Sequence, residues 1–225
     1  MNKDDWYRNR TWDAQIEKSF NETLRHARLK QDFLRIQASY LTADYPEVSL
    51  KLLDRYFAMG LHFDMAFAWY DRAMAYTSLG HIDQTLKAFC EALEEEDMNS
   101  DALSPAYLAM PKLVADLAID TWYAKALETL KRCAGRRKKP RDYYEWNAVS
   151  ALICSQMGQH SEAKKYAQDA MEIVKKQASG ISYKSKTWII RDDDMHKKLF
   201  NKTLDMTMGH KMGLKSRFRR MLGQG

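Results

Sequence analysis

Apolar side chains recur at helical spacing over most of this chain, and the pattern is sharpest between Trp69 and Leu93. Trp69, Ala73 and Tyr76 follow one another at helical intervals, which puts all three on one face of a helix. Leu86, Phe89 and Leu93 form a second stripe, with small Ala88 and Ala92 where a neighbouring backbone can approach. Between the stripes lies Leu79-Gly80-His81, and glycine supplies the left-handed backbone that a short helix-to-helix turn needs. The stretch therefore predicts two amphipathic helices hinged at Gly80. One hairpin of this kind cannot bury its own apolar face, so further pairs should follow.

A second copy starts near Tyr144. Gly158 takes the part of Gly80, and Ala163, Ala167 and Ala170 take the small positions of the following helix. Two weaker copies are expected in the remaining space. From Lys30, Phe33, Ile36 and Tyr40 form a stripe, Tyr45-Pro46 breaks the helix, and Ser49, Leu50 and Leu53 begin the next. From Tyr107, Leu113, Val114 and Leu117 precede a turn at Asp120-Thr121, after which Ala126, Leu130 and Cys133 continue. Pro111 should start or kink a helix, because its ring removes a backbone donor and crowds the preceding turn.

The hairpin from Trp69 to Leu93 resembles the tetratricopeptide repeat, a helix-turn-helix unit of about 34 residues with an early Trp, a Tyr, a turn Gly and a late small-x-x-x-Phe. It departs from that pattern at Thr85, where Ala is usual, and at Arg72, where Leu is usual. In the copy at Tyr144, Trp146 comes one residue early and Ala167 replaces the bulky Phe. The resemblance implies an all-α fold: a right-handed α-solenoid of about four helix pairs, with units from about 30, 66, 107 and 144 and a capping helix at each end. Its expected divisions are 1–29, an aromatic segment and capping helix; 30–177, the repeat array; 178–208, a linker and helix; and 209–225, a basic tail. The opening D-D-W-Y-R-N-R-T-W-D-A-Q-I-E is also similar to the start of bacterial repeat proteins of unknown function.

At the N-terminal end, Thr11 can cap a helix whose positive end favours Asp13. Ile16, Phe20, Leu24 and Ala27 continue one face, predicting a helix over Trp12 to Leu29, and Trp6, Tyr7 and Trp12 are expected to pack over the first pair as a lid. At the other end, Ser179 to Lys186 is expected to be a linker, and Asp192, Asp193 and Asp194 to cap a helix running to about Met208. Asp192, Asp194 and His196 could offer metal ligands, but capping and the helix dipole explain three acids at a helix start.

Composition adds an asymmetry. The net charge is +6, yet from Lys175 onward thirteen Lys and Arg stand against four Asp, leaving the rest of the chain mildly acidic. Leu214, Phe218, Met221 and Leu222 align on one helical face of the tail, with Lys215, Arg217, Arg219 and Arg220 around it, a pattern able to meet phosphate or an acidic surface. A second basic cluster, Arg136-Arg137-Lys138-Lys139-Pro140-Arg141, precedes the Tyr144 copy. Cys90, Cys133 and Cys154 are an odd number at unrelated spacings and are expected to be reduced core residues, which together with the lack of a secretory pattern points to the cytoplasm. No phosphate loop, H-E-x-x-H or nucleophile elbow occurs, and the six histidines show no ligand spacing. No enzyme, cofactor or metal is expected.

The resemblance further implies a concave groove lined by the first helix of each pair. Its expected lining is Leu34, Ala38 and Leu41, then Phe67, Tyr70, Met74 and Ser78, then Ala148, Leu152 and Ser155. Repeat proteins that hold the acidic C-termini of chaperones carry Lys, Asn and Arg at these positions, whereas Tyr70, Met74, Ala148 and Leu152 stand here. An apolar groove suits a helix or an extended peptide, unless a terminal helix of the chain itself fills it. The expected function is a non-enzymatic adaptor or scaffold for a protein or peptide partner. The alternative is a nucleic-acid-associated subunit using Arg136, Arg137, Lys138, Lys139 and Arg141 with the basic tail.

Overall fold

A computed structural model describes residues 5–99, 102–179, 201–203 and 205, and every longer regular element among them is an α-helix. The helices are α1 (Ala14–His26), α2 (Lys30–Leu41), α3 (Pro46–Phe57), α4 (Met65–Ser78), α5 (Ile82–Met98), α6 (Ala106–Leu117), α7 (Tyr123–Arg132), α8 (Pro140–Gln156) and α9 (His160–Ser179). They belong to two compact units, Met1–Ala106 and Tyr107–Gly225. Within each unit helices that follow one another in the chain pack in pairs, α2 with α3, α4 with α5 and α8 with α9. This is the all-α arrangement of paired helices that the resemblance implies.

In the first unit, α1 begins later than the sequence suggests. Its N-cap is Asp13, whose carboxylate accepts the Ile16 amide at 2.8 Å, so Asp13 does the capping expected of Thr11. Pro46 occupies the first turn of α3, where its missing N–H has no helical partner to lose. Leu34, Ala38 and Leu41 of α2 meet Leu52, Leu53 and Tyr56 of α3 in one core with Phe20 and Leu24 of α1. Ser49 comes close enough for its hydroxyl to donate to the Ala38 carbonyl at 2.9 Å. The N-terminal aromatics close this core from outside. Trp6 stacks edge-on against Phe33 at 4.9 Å between ring centres, Tyr7 lies 4.5 Å from Phe33, and Trp12 lies 5.6 Å from Phe20. Gln37, fully buried on α2, fixes the segment by exchanging hydrogen bonds with Asn9 at 2.8 to 3.0 Å.

Helices α4 and α5 approach through small residues: Ala73, Ala75, Thr85, Ala88 and Ala92 are all buried. Both departures from the repeat pattern have a local reason. Thr85 is fully buried, and its hydroxyl donates to the His81 carbonyl one turn back at 3.0 Å, so no polar group is left bare. Arg72 lays its guanidinium over Phe57 at 4.9 Å and Trp69 at 5.3 Å and pairs with Asp54, so it covers the apolar surface a Leu would cover.

In the second unit α8 is the central element. Tyr144 and every residue from Trp146 to Cys154 are buried, so this helix is covered on all sides. The Trp146 indole donates to the Leu130 carbonyl of α7 at 2.7 Å, and Gln156 reaches the Ala115 carbonyl of α6 at 2.9 Å. Residues 201–203 and 205 are helical: Thr203 is buried beside the Tyr144 hydroxyl, and Lys202 Nζ is 3.9 Å from Asp116 of α6. Pro111 sits inside α6 rather than at its start. The expected linker at 180–186 and the expected helix start at Asp192 lie outside the described residues.

Both hairpin turns end their first helix in the same way. Gly80 has φ +71° and Gly158 φ +74°. The Gly80 and His81 amides donate to Thr77 and Tyr76, and the Gly158 and Gln159 amides to Ser155 and Cys154, which satisfies the last helical carbonyls. A side chain at either glycine meets open space, so any cost of adding one is backbone strain alone. Gly158→Ala should lower stability by about 1 kcal/mol, whereas Gly135→Ala, where φ is not positive and nothing is crowded, should change it little. Urea unfolding midpoints of the two variants test this.

Candidate partner-binding face and basic loop

Helix α4 has one face that its neighbours leave partly open. Ala66, Ala68, Asp71, Ala73 and Ala75 are buried, while Phe67, Tyr70 and Met74 are half-buried and Ser78 is exposed. These four side chains follow one another at three- and four-residue steps, so they form one row along the helix. Tyr70 leans toward Phe89 of α5 with 6.1 Å between ring centres. Of the other residues expected to line a groove, Leu34 and Leu41 lie in the core between α2 and α3, and Ala148 and Leu152 lie within the covered helix α8. None of those four presents side-chain surface.

Beneath the α4 row sits an ionic cluster that the sequence does not announce. Arg35 of α2 reaches across to α4, with Nε 3.0 Å from Asp64 and Nη1 3.4 Å from Asp71, and its guanidinium lies 5.7 Å from the centre of the Phe67 ring. The three charges come from positions up to 36 residues apart, so no local motif marks them. Asp71 alone carries a readable signal: it falls one turn after Phe67 and among the small buried residues Ala68 and Ala75 of the same helix side. His62 closes the cluster. Its Nδ1 faces the Tyr56 hydroxyl at 3.2 Å and accepts the Asp64 amide at 3.2 Å, while Nε2 lies 3.3 Å from Asp32.

Asp32, His62 and Asp64 place one potential ligand atom each within 4.8 Å of one another. The hydrogen bonds around them describe a network in which each group already has a protein partner, instead of a ligand set. An Nδ1 that accepts a backbone N–H leaves the ring proton on Nε2, the nitrogen a metal would need, and the Asp64 carboxylate is already held by Arg35.

The basic loop is largely engaged with its own unit. Arg137 stacks on Trp146 at 4.3 Å and Tyr143 at 4.7 Å and donates to the Ala134 carbonyl at 2.7 Å. Arg136 lies 5.9 Å from the centre of the Tyr107 ring, and Arg141 pairs with Glu145 at 2.7 Å. Lys138 and Lys139 are exposed, and their amides donate to Asp142 at the start of α8. Lys215, Arg217, Arg219 and Arg220 lie outside the described residues.

Burial pushes the Asp71 carboxyl up to about 7, against the pull of Arg35 toward the charged form. Because that value lies above the ordinary 3.8, the folded chain holds an extra proton between the two values. Stability from this group is therefore present at low pH and lost as pH rises through about 7. Asp71→Asn should gain on the wild type by about 2 kcal/mol between pH 5 and pH 8. Urea unfolding of both proteins at the two pH values checks this, and parallel curves would mean that Asp71 stays charged throughout.

The tetratricopeptide repeat family matches the chain at residues 68–96 and 147–175. The first match covers most of α4 and α5, and the second covers most of α8 and α9. No curated protein and no solved structure matched the chain. Repeats of this family generally mediate contacts between proteins and are typically not enzymes. Among the described residues no helix is long and apolar enough to cross a membrane. The chain therefore carries one hairpin similar to a tetratricopeptide repeat in each of its two units.

Proposed function

We propose that the chain is a non-enzymatic adaptor of the cytoplasm that binds a protein or peptide partner along α4. The observation that carries this reading is the row Phe67, Tyr70, Met74 and Ser78, which is apolar and aromatic, partly open, and built on a packed scaffold. Leu34 and Leu41 support it from the core of the first helix pair, and Ala148 and Leu152 hold the corresponding helix of the second unit. A row of this chemistry suits the apolar side of a helix or an extended segment with large anchoring side chains. The row itself carries no cation of the kind that grips a peptide carboxylate, and Arg35, 5.7 Å from the Phe67 ring centre, is held by both Asp64 and Asp71.

The basic loop favours the nucleic-acid alternative less. Binding to phosphate needs cations that can leave their present contacts, and Arg137 and Arg141 are committed to aromatic faces and a carboxylate. Phe67→Glu/Met74→Glu places two charges on the row without touching the buried alanines beneath it. Affinity capture with the full chain should recover a protein partner at moderate and at high salt, and the variant should retain at most about a tenth of it. Recovery of nucleic acid alone, unchanged by the variant and lost at high salt, would overturn the adaptor reading.

A further inference from the structure

The first unit displays further exposed apolar side chains on the connection between α3 and α4, just before the α4 row begins. Met59 is 50% exposed, Leu61 90% and Phe63 58%, and Leu29, at the start of α2, is 60% exposed. Loops usually show polar side chains at such positions, and adjoining exposed apolar groups mark an interaction site.

This connection is held firmly. Gln31 of α2 donates to the Tyr56 carbonyl at 3.3 Å and to the Gly60 carbonyl at 2.8 Å. His62 turns inward to Tyr56 and Asp32, and Asp64 turns inward to Arg35. Residues 60, 62 and 64 are therefore bound to the scaffold, while residues 59, 61 and 63 between them point their side chains outward. The bond from Gln31 to Gly60 also brings Leu29, two residues before Gln31, to the same end of the unit. The result is a fixed apolar knuckle rather than a loose loop.

Its surroundings are basic. Arg25, His26 and Arg28 are exposed, Lys30 is half-exposed, and the chain from Thr23 to Gln31 contains no acidic residue. Of the carboxylates in the adjoining segments, Asp32 and Asp64 face His62 and Arg35 and Asp54 pairs with Arg72, while Glu22, one residue before this stretch, is exposed. A protruding apolar tip flanked by cations on its Leu29 side is complementary to anionic headgroups over an acyl layer. A second copy of the chain fits less well, because a two-fold contact through this tip would bring like charges together.

We propose that the knuckle formed by Leu29, Met59, Leu61 and Phe63 docks the chain peripherally onto an anionic lipid surface. The apolar tip enters the interfacial region, and Arg25, Arg28 and Lys30 meet the headgroups. None of these residues belongs to the α4 row, so the lipid contact does not depend on the adaptor reading.

The test is co-sedimentation of the full chain with phosphatidylcholine vesicles prepared with and without phosphatidylglycerol. The wild type should pellet with the phosphatidylglycerol vesicles and not with phosphatidylcholine alone. Leu61→Asp/Phe63→Asp should lower the bound fraction about tenfold while keeping the wild-type far-UV circular dichroism, since both side chains are exposed. A second full-length variant, carrying Lys215→Glu, Arg217→Glu, Arg219→Glu and Arg220→Glu, separates the knuckle from the basic tail and should still pellet. The proposal is overturned if the wild type stays in the supernatant, if the Leu61/Phe63 variant pellets undiminished, or if the tail variant alone abolishes pelleting. It is also overturned if the wild type self-associates without lipid and Leu61→Asp/Phe63→Asp abolishes that association.

Discussion

The close approach of paired helices through small side chains is the constraint on which the rest depends. Ala73 and Ala75 of α4 and Ala88 and Ala92 of α5 are buried, as are Ala163, Ala167 and Ala170 of α9. Small residues let the backbones come together, and the large ones beside them, Leu86, Phe89 and Leu93 on α5, fill the space that remains. Such a hairpin needs a turn that reverses the chain within a few residues. Gly80 and Gly158 provide it in the left-handed conformation, with the preceding carbonyls satisfied. Once the hairpin is set, its outer face must be covered by another element or offered to a partner. The two units resolve that choice differently. In the second, α8 is covered all round, in part by residues 201–203; in the first, α4 keeps a row partly open.

Short-range order was the part of this legible in the residues themselves. The stripes at Trp69, Ala73 and Tyr76, the turn glycines and the small positions all act within about one helical turn of one another, so spacing alone reveals them. The helix start near Trp12 was misplaced by two residues because two capping residues, Thr11 and Asp13, stand side by side and only geometry decides which carboxylate or hydroxyl reaches the free amide. Pro111 was expected to start or kink a helix, and it lies inside α6 rather than at its start.

Long-range chemistry was not legible. Arg35, Asp64 and Asp71 form one cluster, and Gln31 pins Gly60, yet each pair is separated by a whole helix or more. Burial was equally hidden. Periodicity marks Leu34, Leu41, Ala148 and Leu152 as apolar, but it does not say which neighbour covers them. The basic loop shows the same limit, since its charge is plain in the sequence while the stacking of Arg137 on Tyr143 and Trp146 is not. Contacts made by distant segments in the first two cases, and the local path of the chain in the third, decide whether a side chain is available for function.

The central claim is that the open row of α4, and not the outer side of α5, meets a protein. Site-specific photocrosslinking in cells tests it most directly, with a benzophenone amino acid placed at Phe67 and, separately, at exposed Lys87 on α5. The account predicts a discrete protein adduct from position 67 and none from position 87. Adducts from position 87 alone, or none from position 67, would contradict it.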